Sequence, residues 1–208
     1  DTFGLIGFAR EVSGILGQKF SEPVSFDQSI DKISDEITIE IADQKLCPRY
    51  SACLINVSDL NLANPVSPEF SDLYPMTKDS VLLAKSGINS VSPIVDATNL
   101  TMLELGQPLH AFDYDKFVKI GGLDHAKIIV RAARSGETLT LLDGKTIELN
   151  SNDIVITSND IPVALAGAMG GESTKIDAST TRILLESATF SLYNLRKTQM
   201  AHGIFSEA

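Results

Sequence analysis

The strongest constraint on the fold is an Asp-Gly dipeptide in the second half of the chain, between two short segments of alternating apolar residues. Asp143-Gly144 separates residues 138–142 from 146–149, and Asp-Gly between alternating segments is a strong signal for a tight hairpin turn. More segments of β-prone residues surround this hairpin, at 127–132, 153–157, 163–167 and 183–186. We therefore expect a mostly antiparallel sheet in this half.

The first half of the chain carries helical patterns. Apolar side chains recur through residues 3–16 at a spacing near 3.6, which predicts an amphipathic helix. A second helix is predicted over residues 67–85, interrupted at Pro75, and a short one over 102–106. A strand over 37–41, a strand over 50–55 and a helix over 192–200 complete the expected elements. The predicted fold class is mixed α/β (α+β), with a helix-bearing half and a mostly antiparallel sheet half.

The charge balance limits how this chain can hold nucleic acid. The 208 residues include 17 basic and 27 acidic side chains, for a formal net charge of -10 at pH 7. Proteins that grip a phosphate backbone over a wide surface are basic instead. We therefore expect RNA, if bound, to be held mainly by other parts of a larger assembly.

Location and chain ends can be predicted from the same sequence. No stretch approaches the roughly 20 apolar residues of a membrane span, and the first residues do not resemble a signal peptide. We expect a soluble protein of the cytoplasm, without membrane contact. The chain begins without a methionine and ends inside structured-looking sequence, so both ends are interpreted as cuts in a longer polypeptide.

The sequence lacks the motifs of a catalytic serine or cysteine nucleophile and of a metal site. There is no Gly-x-Ser-x-Gly elbow, and neither Cys47 nor Cys53 has a local signature of activation. Neither cysteine has a His or Cys neighbour at metal-ligand spacing. We interpret both cysteines as packing residues and predict no metal site.

Three polar features remain as candidates, each with a structural alternative. His110 lies in a segment rich in polar groups, whereas His125 and His202 have no comparable polar company. Glu186 follows an apolar run, so it either faces solvent at a strand end or faces inward, where it needs a hydrogen-bond donor. The glycine-rich corner over residues 167–172 is either a tight turn or a place where a ligand approaches the backbone.

Several motifs carry a family resemblance together. The longest is LELGQPLHAFD at 103–113; the others are CPRY at 47–50, VDATN at 95–99, LDG at 142–144, LAGAMGGE at 165–172 and LLESA at 184–188. In order and spacing they resemble the central editing module, the B3/B4 domain, of the bacterial phenylalanyl-tRNA synthetase beta chain. Residues 1–45 resemble the segment that leads into this module.

The resemblance implies a domain organisation and a set of site residues. Residues 1–45 would end the preceding domain, and residues 46–208 would form the editing domain, truncated at its C-terminus, with a pocket between its two parts. His110 and Asn99 are implied as catalytic residues that orient water or the terminal ribose. The implied substrate-binding residues are Glu186, Gly167, Gly170, Pro108, Ser206 and Ala208. Ser206 stands where the family more often has threonine. Ser92-Pro93 stands where the family more often has a polar pair, so the resemblance does not define the conformation of the loop before Asn99.

The implied activity is hydrolysis of tyrosine wrongly attached to tRNA(Phe). A pocket built for phenylalanine rejects an isostere with one added hydroxyl by only about a hundredfold, whereas a site that bonds the hydroxyl discriminates by roughly 10⁴ to 10⁵. Glu186 is implied to accept the phenol proton of the tyrosine moiety, and a backbone N–H near Gly167 to donate to the same oxygen.

The resemblance also implies partners and cofactors. ATP and magnesium belong to the alpha-subunit site of the whole enzyme, a tetramer of two alpha and two beta chains, so no cofactor is expected in this chain. The alternative is a non-catalytic domain that positions tRNA or a partner subunit, since related folds occur as accessory domains in a lysidine synthetase. The joint presence of Asn99, His110 and Glu186 favours the catalytic reading.

Overall fold

The computed structural model describes residues 2–22, 35–59 and 78–204. They fall into two compact units, one made of Asp1–Ser34 with Val66–Leu109 and the other of Asp35–Pro65 with His110–Ala208. We call them the helical unit and the sheet unit. Within the described residues, no helix has the length and apolar character to cross a membrane. The prediction of successive domains 1–45 and 46–208 stays a prediction.

The described part of the helical unit contains the helices α1 (Leu5–Ile15), α2 (Lys78–Lys85) and α3 (Pro93–Leu105). The predicted first helix is confirmed, although α1 buries none of its residues. Helix α2 matches the end of the second predicted helix, whose residues 67–77 lie outside the described residues. A Cβ on Gly4 would lie 2.5 Å from the backbone nitrogen of Gly106, so the chain before α1 runs directly against the end of α3.

Helix α3 is 13 residues long, so the prediction of a short helix over 102–106 is wrong. Ser92 caps its N-terminus, where Oγ accepts from the Val95 N–H at 3.4 Å, and Pro93 occupies the first turn. Serine at the cap followed by proline is a favoured helix start, because proline lacks only an N–H that the first turn leaves unbonded. The segment before Asn99 is therefore a helix and not a loop.

The sheet unit holds the remaining strands and helices. The strands are β1 (Ile37–Ile41), β2 (Arg49–Asn56), β3 (Leu109–Asp113), β4 (Ala126–Ala132), β5 (Thr138–Thr140), β6 (Thr146–Glu148), β7 (Ile154–Ser158), β8 (Ile161–Leu165), β9 (Met169–Gly170) and β10 (Arg182–Thr189). The α-helices are α4 (Tyr114–Gly121) and α5 (Leu192–His202), and residues Glu172–Thr174 form a short 3-10 helix. These elements agree with the mixed α/β class expected from the sequence.

The strands form a 5-stranded sheet in the order β1-β4-β7-β8-β9 and a separate hairpin, β5-β6. Strand β1 is parallel to β4, and the other pairs of this sheet are antiparallel. The hairpin turns at Asp143-Gly144, where Gly144 has a φ of 82° and the Leu141 N–H donates to the Lys145 carbonyl at 2.9 Å. The predicted hairpin and the mostly antiparallel character are confirmed.

A 3-stranded sheet, β2-β10-β3, completes the unit. Strand β10 lies antiparallel to β2, with Tyr50 opposite Ala188 and Leu54 opposite Leu184. Directly opposed residues of an antiparallel pair point to the same face. Tyr50 and Leu184 belong to the main core cluster together with Phe112 of β3. We call the face that carries these residues the inner face of the 3-stranded sheet.

Candidate functional site

Glu186 lies on the inner face of the 3-stranded sheet. It is opposite Ala52 in the ladder, within the same alternating set as the opposed pair Tyr50 and Ala188. Only 5% of its surface is exposed. The solvent-facing interpretation of Glu186 is therefore wrong, and the inward-facing alternative is correct.

The polar atoms next to this position lack partners. Tyr50 Oη and Glu186 Oε2 are buried, and neither has a hydrogen-bond partner among the described residues. Burial raises the pKa of Glu186 from 4.5 to about 8, an effect that the nearby Tyr50 hydroxyl opposes. Burial, and then the negative charge of Glu186, raise the pKa of Tyr50 well above 10. An unsatisfied buried polar atom costs about 1–3 kcal/mol, so the sheet carries two groups that a polar ligand would stabilise.

His110 belongs to β3 and is partly exposed. Its ring packs edge-on against Phe112 with the centroids 4.5 Å apart. Burial of the ring lowers the pKa of His110 from 6.5 to about 4. The imidazole is therefore neutral at pH 7, which suits it to accept or donate a hydrogen bond but makes it a weak base.

Gly170 explains where the His110 ring lies. A Cβ atom on Gly170 would lie 2.5 Å from Cε1 and 2.7 Å from Nε2 of His110. The imidazole thus packs directly against the backbone of β9. The Gly170 carbonyl is held in turn by the Leu142 N–H at 3.0 Å, which links the β5-β6 hairpin to this corner.

The rest of the glycine corner combines a tight turn with close packing. Gly167 has a φ of 62° in the turn between β8 and β9, a conformation that favours glycine. A Cβ at this position would lie 2.8 Å from the Leu195 methyl groups of α5. The tight-turn interpretation is therefore confirmed at Gly167, and the close approach at Gly170 is made by a histidine of the same chain.

His110 and Glu186 share one face of the 3-stranded sheet. His110 alternates with Phe112, which packs in the same core cluster as Leu184, and Leu184 alternates with Glu186. The Thr180 hydroxyl donates to Asp113 at 2.7 Å, so the end of β3 lies beside the start of β10. His110 and Glu186 both lie away from that end, on the inner face.

The other predicted site residues are placed differently. Asn99 lies on α3 of the helical unit, partly buried. Pro108 precedes β3, and its carbonyl accepts from the Gln107 side chain at 2.9 Å. Ser206 and Ala208 lie outside the described residues. A pocket that unites these residues between the two halves stays a prediction.

The prediction that His202 lacks polar company is wrong. Its Nε2 lies 2.8 Å from Oδ2 of Asp153, which has no exposed surface. The Thr198 hydroxyl donates to the other carboxylate oxygen at 2.7 Å, and the Asn150 N–H donates to Oδ2 at 2.8 Å. This network ties α5 to the chain entering β7, which gives His202 a structural role.

The two cysteines differ in their environments. Cys47 is fully buried, its thiol donates to the Arg49 carbonyl at 3.3 Å, and burial raises its pKa to about 11. Cys53 is exposed, so the packing role predicted for it is wrong. In the described part of the chain, no group of three or more His, Cys, Asp or Glu residues could hold a metal ion.

Comparison with known proteins gives consistent matches. The B3/4 domain family matches residues 79–208. The chain is 36% identical over 208 residues to the phenylalanine–tRNA ligase beta subunit of Trichormus variabilis and 41% identical over 209 residues to that of Streptococcus pyogenes serotype M3. Both alignments cover 100% of this chain and 24% of the relative. The chain thus spans about a quarter of the length of these relatives.

A solved structure also aligns with most of the chain. It is an N-terminal fragment of the phenylalanyl-tRNA synthetase beta subunit from Pyrococcus horikoshii. The alignment covers 94% of this chain and 56% of that one, with 14% identity and a TM-score of 0.47.

Proposed function

Because this chain belongs to the B3/4 domain family and is related over its whole length to phenylalanine–tRNA ligase beta subunits, we propose that it hydrolyses tyrosine misattached to tRNA(Phe). The reaction would cleave the ester between the amino acid and the terminal ribose, at a site separate from aminoacylation. In this proposal the enzyme acts in the cytoplasm, with an alpha subunit that carries ATP and magnesium and with tRNA as the shared substrate.

The observation that carries the proposal is the unsatisfied pair of buried polar atoms, Tyr50 Oη and Glu186 Oε2. With a pKa of about 8, the Glu186 carboxyl is mostly protonated at pH 7, and a phenol that reaches it can still donate its proton to the carbonyl oxygen of that group. A phenylalanine ring cannot donate, and would leave the buried carboxyl with only the Tyr50 hydroxyl beside it. Sites of this kind reject the analogue lacking the hydroxyl by roughly 10⁴ to 10⁵, which is the direction of selectivity that tyrosine-specific editing needs.

The chemistry proposed for the ester is attack by an oriented water. The described residues offer no activated cysteine, since burial raises the pKa of Cys47 to about 11 and raises the pKa of Cys53 as well. His110 is a neutral imidazole that can hold a water or a ribose hydroxyl by a hydrogen bond. Asn99 is proposed as a second polar group for that task.

The deciding experiment compares two substrates in the full-length ligase. Glu186→Ala should abolish the preference for tyrosine-charged over phenylalanine-charged tRNA in deacylation while leaving the fold intact. Glu148→Ala is the matched control, because Glu148 is an exposed carboxylate on a strand of the same unit. Unchanged discrimination in the Glu186 variant would refute the proposed role of this carboxylate. Absence of deacylation in the unmodified enzyme would favour a non-catalytic positioning domain.

A further inference from the structure

Helix α5 presents a continuous surface outward that the proposed hydrolysis does not use. Its inner side carries Thr198, which is buried, and Leu195, which packs on Gly167. The side chains that point outward follow helical spacing. We call them the outer face of α5; they are Leu192, Tyr193, Arg196, Lys197 and Met200.

The charge of this outer face is opposite to that of the chain. Helix α5 contains no acidic residue, although the whole chain has a net charge of -10. Within the described residues, neither Arg196 nor Lys197 forms a salt bridge. Lys197 donates to the Asn152 side-chain oxygen at 3.2 Å, a neutral partner. Two cations therefore keep their full charge toward solvent.

An aromatic ring lies among these cations. Tyr193 is 70% exposed, and Lys197 Nζ lies 4.4 Å from the centroid of its ring. Proteins that bind single-stranded nucleic acid combine aromatic rings that stack on bases with Lys or Arg side chains that contact the phosphates, and the outer face of α5 offers both.

The helix that carries this outer face is joined to the candidate site through its inner side. Leu195, on the inner side of the same helix, contacts Gly167. At the other end of the helix, Lys145 Nζ lies 3.4 Å from the His202 carbonyl. Lys145 belongs to the hairpin whose Leu142 N–H bonds to Gly170. The N-terminal half of α5 thus packs on the glycine corner, and its C-terminal end contacts the β5-β6 hairpin that bonds to the same corner.

We propose that the outer face of α5 binds the single-stranded 3′ end of the RNA that carries the ester. Arg196 and Lys197 contact its phosphates, and Tyr193 stacks on a base. The inference rests on the proposed hydrolytic function, and it names how the substrate is led to that site. The acidic remainder of the chain repels RNA, so a small basic face confines the strand to one path past the glycine corner.

The first test measures how salt changes the affinity of the full-length ligase for an acceptor-stem minihelix that has its 3′ overhang but carries no amino acid. Each phosphate contact on a single strand contributes about 0.7 to the slope of log affinity against log salt. Arg196→Glu with Lys197→Glu should weaken binding at low salt by about tenfold or more and reduce the slope by roughly 1.4. An unchanged slope, or no binding of the minihelix by the unmodified ligase, would overturn the proposal.

A matched control separates local contact from loss of net charge. Lys78→Glu with Lys85→Glu makes the same change in charge on α2, where both residues are exposed. Glutamate is favourable in the first turn of that helix and unfavourable in the last, so the two effects on the helix offset each other. This variant should keep the slope of the unmodified ligase. A reduction equal to that of the α5 variant would mean that only overall charge matters.

The second test locates the strand by cross-linking. The photoreactive residue benzoylphenylalanine replaces Tyr193 in the full-length ligase, and uncharged tRNA is added. The proposal expects a cross-link to the unpaired 3′-terminal nucleotides, and none from the same residue at Ile161, which is 50% exposed. A cross-link to another part of the ligase itself, or no cross-link at all, would show that the outer face of α5 does not carry the RNA.

The two tests use RNA that carries no amino acid, so they do not depend on hydrolysis of the ester. If the α5 variant shows the reduced slope and the Glu186 variant keeps its tyrosine preference, the RNA-binding role of α5 is supported and the proposed role of Glu186 is refuted. If the reverse is found, the substrate reaches a working site by another path.

Discussion

The imidazole of His110 occupies the space that a side chain on Gly170 would need, since a Cβ there would lie 2.5 Å from Cε1 and 2.7 Å from Nε2. These separations are far below a van der Waals contact, so the His110 ring can keep its position only while residue 170 has no side chain. The glycine is required by its neighbour and not by a positive φ, which Gly170 does not have.

This coupling predicts that Gly170→Ala displaces the ring of His110 without breaking the sheet. Deacylation of tyrosine-charged tRNA should fall nearly as far as in His110→Ala, and combining the two changes should add little, because both remove the same contact. Gly14→Ala is the control: no atom lies within 4 Å of its added Cβ, so activity should be unchanged. Full activity in Gly170→Ala would show that the position of the ring is unimportant.

The sequence predicts those parts of the fold in which the signal is local. The Asp143-Gly144 hairpin is an example, because turn residues and flanking alternation fall within one short segment. Helix α4 is absent from the prediction, although Asp113 caps it by accepting from the Lys116 N–H at 2.9 Å. Asp113 also ends β3, and a strand that passes directly into a helix leaves no loop residues to mark the boundary. Ser92-Pro93, which departs from the family pattern, is a helix start.

The candidate site is less predictable because it depends on contacts between distant segments. The inward direction of Glu186 follows from which face of β10 packs on the core, and this depends on pairing with β2. The polar network of His202 depends on Asp153, on a different element. Tyr50 is missing from the predicted site residues for the same reason, since its neighbour Glu186 is far away in sequence. For Glu186 the family resemblance supplied what local pattern could not.

The buried carboxyl of Glu186 predicts a specific dependence of stability on pH. Its pKa in the folded chain is about 8 against an ordinary 4.5, so the folded state binds the proton more tightly. The stability that this group contributes is fully present below pH 4.5 and is lost as the pH rises through 8. Each tenfold difference in proton affinity is worth about 1.4 kcal/mol, so the loss amounts to several kcal/mol.

Glu186→Gln keeps the shape of the side chain and cannot ionise. We expect it to match the unmodified chain near pH 4.5 and to exceed its free energy of unfolding above pH 8, as measured by urea denaturation. Glu148→Gln, at an exposed position, should show no such divergence. A difference between variant and parent that is the same at both pH values would contradict the burial argument.

The sheet unit has two His–Asp contacts of equal length, and we expect their removal to change the free energy of unfolding by different amounts. His202–Asp153 and His125–Asp124 are both 2.8 Å long, but Asp153 has no exposed side-chain surface and the Asp124 side chain is 97% exposed. Asp153→Ala would leave the Thr198 hydroxyl and the Asn150 N–H without their acceptor. We expect it to cost about 1–3 kcal/mol in urea denaturation for each buried donor left unsatisfied, and Asp124→Ala to have no measurable effect. Equal effects would mean that burial does not decide the strength of these contacts.

The low pKa of His110 predicts the shape of the deacylation profile. With a pKa of about 4, the imidazole stays neutral across the physiological range, and protonation removes an acceptor only under acidic conditions. The rate for tyrosine-charged tRNA, plotted against pH, should therefore show no inflection near 6.5 that is due to His110. Such an inflection, present in the unmodified ligase and absent from the variant, would identify His110 as a titrating acid or base.

The last prediction concerns which group activates the water. A general base works best with a pKa near the operating pH, and His110, with a pKa of about 4, is far below it. The ribose hydroxyl beside the ester is then the better candidate, with His110 orienting it or the water. His110→Ala should slow deacylation without accumulating a covalent tyrosyl-enzyme. Removing that hydroxyl from the tRNA should cost more rate than removing His110, because a group that transfers a proton typically contributes 10² to 10⁴-fold. A tRNA without the hydroxyl that is still deacylated at full speed would exclude substrate assistance and return the proton transfer to the protein.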